Sequence, residues 1–203
     1  LFGVKVEDNI DLIEPIYRQI APFAKRRAGK LSGGMKQKLA LCCALVHKPT
    51  VLFLDEPTTG VDAVSRSEFW QMLAELKSKG ITIFVSTPYM DEAQACDRVA
   101  LIDHGRILAV DRPDALAAAM DRNLYAASAR EMWPLMLALR QLPQVADCYT
   151  FGAAHHVVAR AGFDIRSTVD ELTARGLHDV SIEPVAGNIE DLFIKLMHGN
   201  ERE

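Results

Sequence analysis

The sequence predicts an α/β fold in which part of a parallel sheet with flanking helices is followed by a small α+β domain. Between residues 33 and 85, apolar positions at helical spacing alternate with short apolar runs bounded by turns. This order is expected of a parallel sheet whose strands are joined by helices. After residue 120 the predicted order becomes strand, helix, strand, strand, helix, strand, which is the βαββαβ or ferredoxin-like arrangement. We therefore expect two domains, over residues 1–120 and 121–203.

The first domain begins with short helices between residues 9 and 24, interrupted by Pro15 and Pro22. A longer helix is predicted to begin at Gly33 and to end before Pro49. Residues 51–54 are all apolar without alternation, which is typical of an inner strand covered on both faces.

The remaining elements of this domain follow from the same periodicities. They are an amphipathic helix over residues 65–79, a buried strand over 81–85, a short helix over 90–96, and strands over 99–102 and 107–110. The last two strands flank His104-Gly105, which predicts a hairpin at an antiparallel edge of the sheet.

The second domain follows a linking helix at residues 115–120. Its elements are strands at 124–127, 145–151, 155–160 and 179–183, with helices at 131–141, 165–175 and 189–197. The apolar residues of the first helix, Trp133, Leu135, Leu137 and Leu139, are interpreted as core rather than as a ligand pocket. We expect this domain to serve in dimerisation or regulation, because it carries no cluster of acids, histidines or glycines that indicates a second active site.

The composition excludes several classes of function. A formal charge of −4 offers no basic face for nucleic acid, so we expect no nucleic-acid partner. The longest apolar run, residues 39–46, is far shorter than the ~20 residues that cross a bilayer. Residues 1–11 lack the pattern of a signal peptide, so any membrane role is expected to come through a partner.

The four cysteines show no zinc spacing and are expected to be reduced thiols. The adjacent His155 and His156 are expected on opposite faces of a strand, where they would not pair as metal ligands.

A serine and two glycines, Ser32-Gly33-Gly34, stand at the predicted start of the long helix. An ordinary helix cap would explain the serine. Two glycines inside a helix are unfavourable by ~1 kcal/mol each relative to alanine, which makes sense if the backbone must approach another body closely. The free amides, the helix dipole and the hydroxyl would then converge on a phosphate, with Lys36 and Gln37 one turn further on.

Two adjacent acids, Asp55 and Glu56, end the first predicted strand. In α/β folds, ligands bind beyond the carboxyl ends of the strands. We expect Asp55 to hold Mg²⁺ and the adjacent Glu56 to act as general base on an attacking water. The simpler alternative is a strand end that merely meets water.

Together these motifs resemble those of ATP-binding cassette (ABC) ATPases. LSGGMKQ resembles the family's signature motif, VLFLDE its Walker B strand and GVD its D-loop, and the block resembles the drug-exporter branch of bacterial ABC proteins. The resemblance covers roughly residues 20–112 and implies that the first sheet is the C-terminal part of a P-loop NTPase-like sheet.

The resemblance also implies roles and partners. Ser32, Gly33 and Gly34 would contact the γ-phosphate of ATP held by the opposite subunit, and Asp62 would bridge the two subunits. Asp55 would serve Mg²⁺ and Glu56 would polarise the water. The implied partners are a second nucleotide-binding domain, as homodimer, heterodimer or fused half, and a membrane permease. The subunit would lie at the inner face of the plasma membrane and drive transport, with export favoured, by ATP hydrolysis.

Two departures from the family bear on activity. No GxxxxGK[ST] phosphate loop occurs in the 203 residues, which favours a fragment of a longer protein over a truncated gene product. Pro88 stands where family members usually have a histidine that contacts the γ-phosphate, so we expect a weakened hydrolytic site.

Three functions therefore stay open. The first is a transport ATPase subunit, which Glu56 favours. The second is a non-catalytic, nucleotide-gated module for dimer closure and regulation, which Pro88 favours. The third, a soluble ABC protein acting on ribosomes or DNA, is disfavoured by the acidic net charge.

Overall fold

The structure, a computed structural model, describes residues 9–120 and 123–200, with side chains up to residue 198. These residues form two compact units that divide between Ala95 and Cys96. The predicted domain limits at residues 1, 121 and 203 lie outside the described residues, as does most of the segment on which a signal peptide was excluded. The domain boundary near residue 120 stays a prediction, and the two units are described separately below.

The first unit contains four α-helices and two strands in its described part. They are α1 (Ile10–Tyr17), α2 (Gly33–Leu45), β1 (Val51–Asp55), α3 (Ala63–Ser78), β2 (Thr82–Ser86) and α4 (Met90–Ala93). Two short 3₁₀ turns, Ala21–Phe23 and Ala28–Lys30, lie between α1 and α2. Pro15 lies within α1, and Pro22 lies in the first turn of the first 3₁₀ segment, so the predicted short helices are confirmed.

Strands β1 and β2 pair in parallel, as predicted. The register joins Val51 to Thr82 at one end and Asp55 to Ser86 at the other. Both carboxyl ends therefore lie at the same edge of the sheet. The core of this unit consists of buried apolar residues from the helices and strands: Ile13, Ile16, Leu41, Cys42, Leu45, Leu52, Phe69, Met72, Leu73, Leu76 and Ile81.

Only one face of the β1–β2 pair is covered by the described residues. Leu52 is buried, whereas Phe53 and Phe84 are 73% and 63% exposed, with their ring centroids 5.7 Å apart. The expectation that both faces of these strands are buried is therefore wrong for this part of the chain. An apolar run without alternation does not reveal whether a second layer is present.

The second unit begins with a β-hairpin. Strands β3 (Val99–Asp103) and β4 (Arg106–Asp111) pair antiparallel around His104-Gly105, whose φ angles are +46° and +74°. Positive φ at both central residues is the geometry of the favoured two-residue hairpin turn. The hairpin was expected at the edge of the parallel sheet, but it forms a two-stranded sheet of its own.

The predicted ferredoxin-like arrangement is confirmed. After α5 (Pro113–Ala118), the chain forms β5 (Leu124–Ser128), α6 (Met132–Arg140), β6 (Val145–Phe151), β7 (Ala154–Ala159), α7 (Ile165–Ala174), β8 (Ser181–Pro184) and α8 (Ile189–Asn200). The four strands lie in the order β6-β7-β5-β8 with every neighbour antiparallel. This is the strand order of a split βαβ fold.

Helix α6 divides the apolar residues that were predicted as one core stripe. Leu135 and Leu139 are fully buried, whereas Trp133 is 64% and Leu137 44% exposed. Residues four apart lie on one face of a helix and residues two apart do not, so the four cannot share a face. The core interpretation is confirmed for Leu135 and Leu139 and wrong for Trp133 and Leu137.

The helices of the described ranges are short. The longest, α3, has 16 residues. Within residues 9–120 and 123–200, no helix combines the length and apolarity that a bilayer crossing requires.

Candidate functional site

Helix α2 begins at the serine-glycine turn. Ser32 is its N-cap, and its Oγ accepts a hydrogen bond of 3.3 Å from the Met35 amide. Ser32 and Gly33 are exposed. The first amides of a helix have no acceptor within it, and they lie at the positive end of the helix dipole. The exposed start of α2 is therefore suited to an anion, although capping alone accounts for the serine.

The two glycines lie close to other residues of the chain itself. A Cβ on Gly33 would lie 3.2 Å from the Gly60 carbonyl oxygen, and a Cβ on Gly34 would lie 2.8 Å from Ser65 Cβ and Oγ. Gly34 is buried. A close backbone approach of this glycine pair thus occurs against residues 60–65 of the same chain, and the approach to a phosphate stays a prediction. Gly33 retains an exposed surface.

The carboxyl ends of β1 and β2 are joined by Ser86. Its hydroxyl donates to Asp55 Oδ1 at 2.5 Å and accepts from the Glu56 amide at 3.0 Å. The same amide lies 3.1 Å from the Ser86 carbonyl oxygen. One side chain therefore contacts the carboxylate of Asp55 and the backbone of Glu56. Sequence reasoning missed this role, and the signal would have been the strand register that places residue 86 beside residue 55.

Glu56 has a strained backbone. Its φ is +42°, in the left-handed region that few non-glycine residues occupy. Such outliers persist where the surrounding structure holds them, and they cluster at functional sites. The Glu56 side chain is exposed, and its Oε2 accepts a hydrogen bond of 3.2 Å from Thr59 Oγ1.

Residues 57–62, here called the post-β1 loop, connect the acids to the serine-glycine turn. The loop starts directly after Glu56, and its Gly60 lies against Gly33. It ends at Asp62, whose Oδ1 accepts a hydrogen bond of 2.9 Å from the Ser65 amide and caps α3. This hydrogen bond lowers the pKa of Asp62 below its ordinary value. The loop thus brings the predicted catalytic and signature elements together within one unit.

The other predicted site residues have less defined surroundings. Lys36 is exposed on the first turns of α2, and Gln37 is half-buried next to it. Pro88 is exposed in the segment between β2 and α4. Four residues further on, Glu92 is buried at 4% exposure, a carboxyl group that sequence reasoning did not single out.

The cysteines and the two adjacent histidines were considered as metal ligands. None of the four cysteines forms a disulfide, and burial raises the pKa of both Cys42 and Cys148 to about 11. His155 and His156 bond in different directions, to the Met132 carbonyl and to Asp191. Among the described residues, no group of three or more His, Cys, Asp or Glu side chains is arranged to hold a metal ion.

Comparison with known proteins shows which proteins the chain is similar to. The profile of the ABC transporter family matches residues 8–59, which include the serine-glycine turn, β1 and both acids. Residues 8–59 are therefore similar to part of the ABC transporter family.

Individual relatives extend the similarity beyond that segment. The chain is 40% identical over 186 residues to the probable multidrug ABC transporter ATP-binding protein YbhF of Escherichia coli, covering 90% of this chain and 32% of that protein. It is 34% identical over 179 residues to the daunorubicin resistance ATP-binding protein DrrA2 of Streptomyces coeruleorubidus, covering 84% of this chain and 55% of that protein. It thus spans about a third and about half of the lengths of these relatives. The structure of cbiO1 from Clostridium perfringens, part of an ABC transporter complex, aligns with a TM-score of 0.48 and 32% identity over 56% of this chain and 47% of that one.

Proposed function

We propose that this chain is part of the ATP-binding subunit of an ABC exporter, which couples ATP binding and hydrolysis to transport through a separate membrane permease. The observation that carries the proposal is the strained Glu56 beside Asp55, with both acids held by Ser86 at the end of a parallel strand. The relatives named for multidrug transport and daunorubicin resistance support export as the direction. Such a subunit would lie at the inner face of the plasma membrane, where the permease holds it.

In this proposal, Asp55 serves Mg²⁺ and Glu56 accepts a proton from the attacking water. Carboxylate and hydroxyl oxygens are the hard donors that Mg²⁺ prefers, and Asp55 and Ser86 present both kinds. Mg²⁺ is commonly bound by one or two carboxylates together with nucleotide phosphates, so Asp55 and the phosphates of ATP would supply its ligands. The bound ion would neutralise charge on the phosphates of ATP.

The serine-glycine turn would act on ATP held by a second nucleotide-binding domain, whether a second copy, a different subunit or a fused half. Ser32 and Gly33 expose a hydroxyl and helix-start amides to an incoming phosphate, while Gly34 keeps α2 close to α3. Asp62 would lie at the contact between the two domains, and Lys36 and Gln37 would assist phosphate binding.

The test is the ATP turnover of the full-length protein with Glu56→Gln. Removal of a general base reduces turnover by about 10²–10⁴-fold, while ATP binding is expected to persist. Glu75→Gln, at an exposed position on α3, is the matched control and should leave turnover unchanged. Full activity in Glu56→Gln would overturn the catalytic proposal for this chain.

A second function, a non-catalytic module that closes on nucleotide and regulates its partner, is favoured by Pro88. Proline offers no side-chain donor or acceptor for a γ-phosphate. If Pro88→His raises turnover and Glu56→Gln abolishes the gain, the site is a weakened ATPase. If neither variant changes turnover but ATP still promotes domain pairing, the regulatory function holds instead. The acidic net charge of −4 supports the absence of a nucleic-acid partner in either case.

A further inference from the structure

A buried carboxyl group lies behind the proposed catalytic edge. Glu92, in α4, is 4% exposed, and its Oε2 accepts hydrogen bonds from Thr58 Oγ1 at 3.0 Å and from Thr87 Oγ1 at 2.6 Å. Its other oxygen, Oε1, lies 3.7 Å from Arg66 Nε of α3. A buried carboxylate is unfavourable by several kcal/mol unless such partners compensate it, and apolar groups fill buried space at lower cost.

The two threonines belong to the two segments that carry the site. Thr58 is 1% exposed and lies in the post-β1 loop, two residues after Glu56. Thr87 directly follows Ser86, the residue that contacts both acids. Glu92 therefore closes a ring, which we call the hydrogen-bond ring. Hydrogen bonds join Thr58 to Glu92, Glu92 to Thr87, and Ser86 to the Glu56 amide, and the backbone joins residues 56–58 and 86–87.

Arg66 connects this ring to α3. Its guanidinium lies 4.7 Å from the centre of the Tyr89 ring and 3.2 Å from Asp91 Oδ2, besides its approach to Glu92. The post-β1 loop is thus held at three places. The hydrogen bond between the Glu56 amide and Ser86 holds its start, Glu92 holds Thr58, and α3 holds its end. A left-handed Glu56 requires such over-determined surroundings, since its backbone conformation is intrinsically unfavourable.

We propose that Glu92 is a positioning residue for ATP hydrolysis, which holds the post-β1 loop against the segment after β2 and thereby fixes the backbone of Glu56. This inference rests on the proposed function of Glu56. Glu92 itself does not touch the nucleotide. Its contribution is to keep the general base in one orientation when the domains close on ATP.

The main test compares Glu92→Gln and Thr87→Val with Thr168→Val in the full-length protein. Thr168 is the control, because it is a fully buried threonine in the second unit whose hydroxyl donates a hydrogen bond of 2.7 Å to the Asp164 carbonyl oxygen. We expect Glu92→Gln and Thr87→Val to lower kcat at least tenfold, with the KM for ATP changed less than about twofold, and Thr168→Val to change neither. A tenfold loss corresponds to about 1.4 kcal/mol in the activation barrier.

A second measurement does not depend on catalysis. Hydrogen exchange of the Thr59 and Val61 amides, which donate to the carbonyl oxygens of Glu56 and Thr58, reports opening of the post-β1 loop. We expect exchange in this loop to accelerate at least tenfold in Glu92→Gln and to be unchanged in Thr168→Val.

The outcomes separate this inference from the proposed function. If Glu56→Gln abolishes turnover but Glu92→Gln keeps full kcat, only the role of Glu92 is wrong. If Glu92→Gln, Thr87→Val and Thr168→Val all lose activity in proportion to their loss of folded protein, Glu92 is merely structural and the inference fails. If Glu56→Gln is fully active, the proposed function fails, and unchanged loop exchange in Glu92→Gln then overturns the positioning role as well.

Discussion

Replacing Gly34 by alanine tests why the serine-glycine turn contains its second glycine. If this glycine served only an approaching ligand, alanine would stabilise the free protein, because alanine is favoured over glycine in a helix by ~1 kcal/mol. The structure predicts the opposite. The new Cβ would lie 2.8 Å from both Cβ and Oγ of Ser65, closer than carbon atoms pack.

The magnitude follows from two opposing terms. Overpacking of a well-packed contact costs about 1–3 kcal/mol, and the gain in helix propensity offsets up to ~1 kcal/mol of it. We therefore expect Gly34→Ala to lower the free energy of unfolding of the first unit by up to about 2 kcal/mol. Ser65→Gly removes both atoms of the clash, so in the double variant the overpacking cost should disappear, giving a coupling of at least about 1 kcal/mol.

Denaturant unfolding of the 203-residue chain can measure this coupling through Trp70, which lies in α3. Trp133, the second of the two tryptophans, is 64% exposed and can be changed to phenylalanine to leave a single reporter. Gly29→Ala is the control, because a Cβ there meets nothing within 4 Å, and it should change stability by less than about 0.5 kcal/mol. Additive effects of Gly34→Ala and Ser65→Gly, within ~0.5 kcal/mol, would refute the packing explanation.

Three further predictions address the acids and the second unit. Ser86→Ala removes the hydrogen bond to Asp55 and the one from the Glu56 amide, so we expect kcat for ATP to fall by about tenfold or more, and an unchanged steady-state rate would contradict this role. Because its pKa is lowered in the folded state, Asp62 stabilises the folded state above about pH 4, and this stabilisation is lost as the pH falls through the folded pKa. The thermal unfolding temperature should therefore fall more steeply between pH 7 and pH 3 in the wild type than in Asp62→Asn. Leu139→Ala should lower stability by about 2–5 kcal/mol and Leu137→Ala by less than about 1 kcal/mol, and equal costs in denaturant unfolding would show that both faces of α6 are buried.

Local pattern was sufficient for most of the elements. Strand β6 has the predicted limits, and helix α2 begins at the predicted Gly33, because capping and turn residues mark these ends in the sequence itself. The order of strands in the second unit also followed from the predicted βαββαβ sequence, since few topologies satisfy short, right-handed connections.

Contacts between distant residues were not accessible in the same way. The pairing of Ser86 with Asp55 depends on the register of two strands, and the burial of Glu92 depends on where α4 packs. A glutamate that is exposed on a short helix and a glutamate that is buried in a hydrogen-bond network look the same in the local sequence. The left-handed backbone of Glu56 was equally hidden, because glutamate does not signal a positive φ as glycine does, and a residue before proline is expected to be extended.

The exposed faces show a third limit of sequence reasoning. Phe53 and Phe84 were predicted as buried because apolar strand residues usually are, yet burial requires a second layer that the pattern of one strand cannot reveal. Trp133 and Leu137 were placed in the core by counting apolar residues instead of following the helical period. The candidate acids could be singled out because their place in the chain, at the end of an apolar strand, is itself the local signal.

We expect any effect of Pro88 to be on ATP hydrolysis alone, because the hydrogen bonds around Glu92 do not use its side chain. A proline restricts the preceding residue to extended backbone, and this is compatible with Thr87, whose hydroxyl reaches Glu92 and also accepts a hydrogen bond of 3.1 Å from the Tyr89 amide. Pro88 itself is exposed, so a histidine there would enter open space without disturbing the contacts on either side. We therefore expect Pro88→His to leave loop exchange unchanged while it alters turnover. If Pro88→His instead disturbed exchange in the post-β1 loop, the proline would be part of the positioning network and its loss of a γ-phosphate contact would no longer explain a slow enzyme.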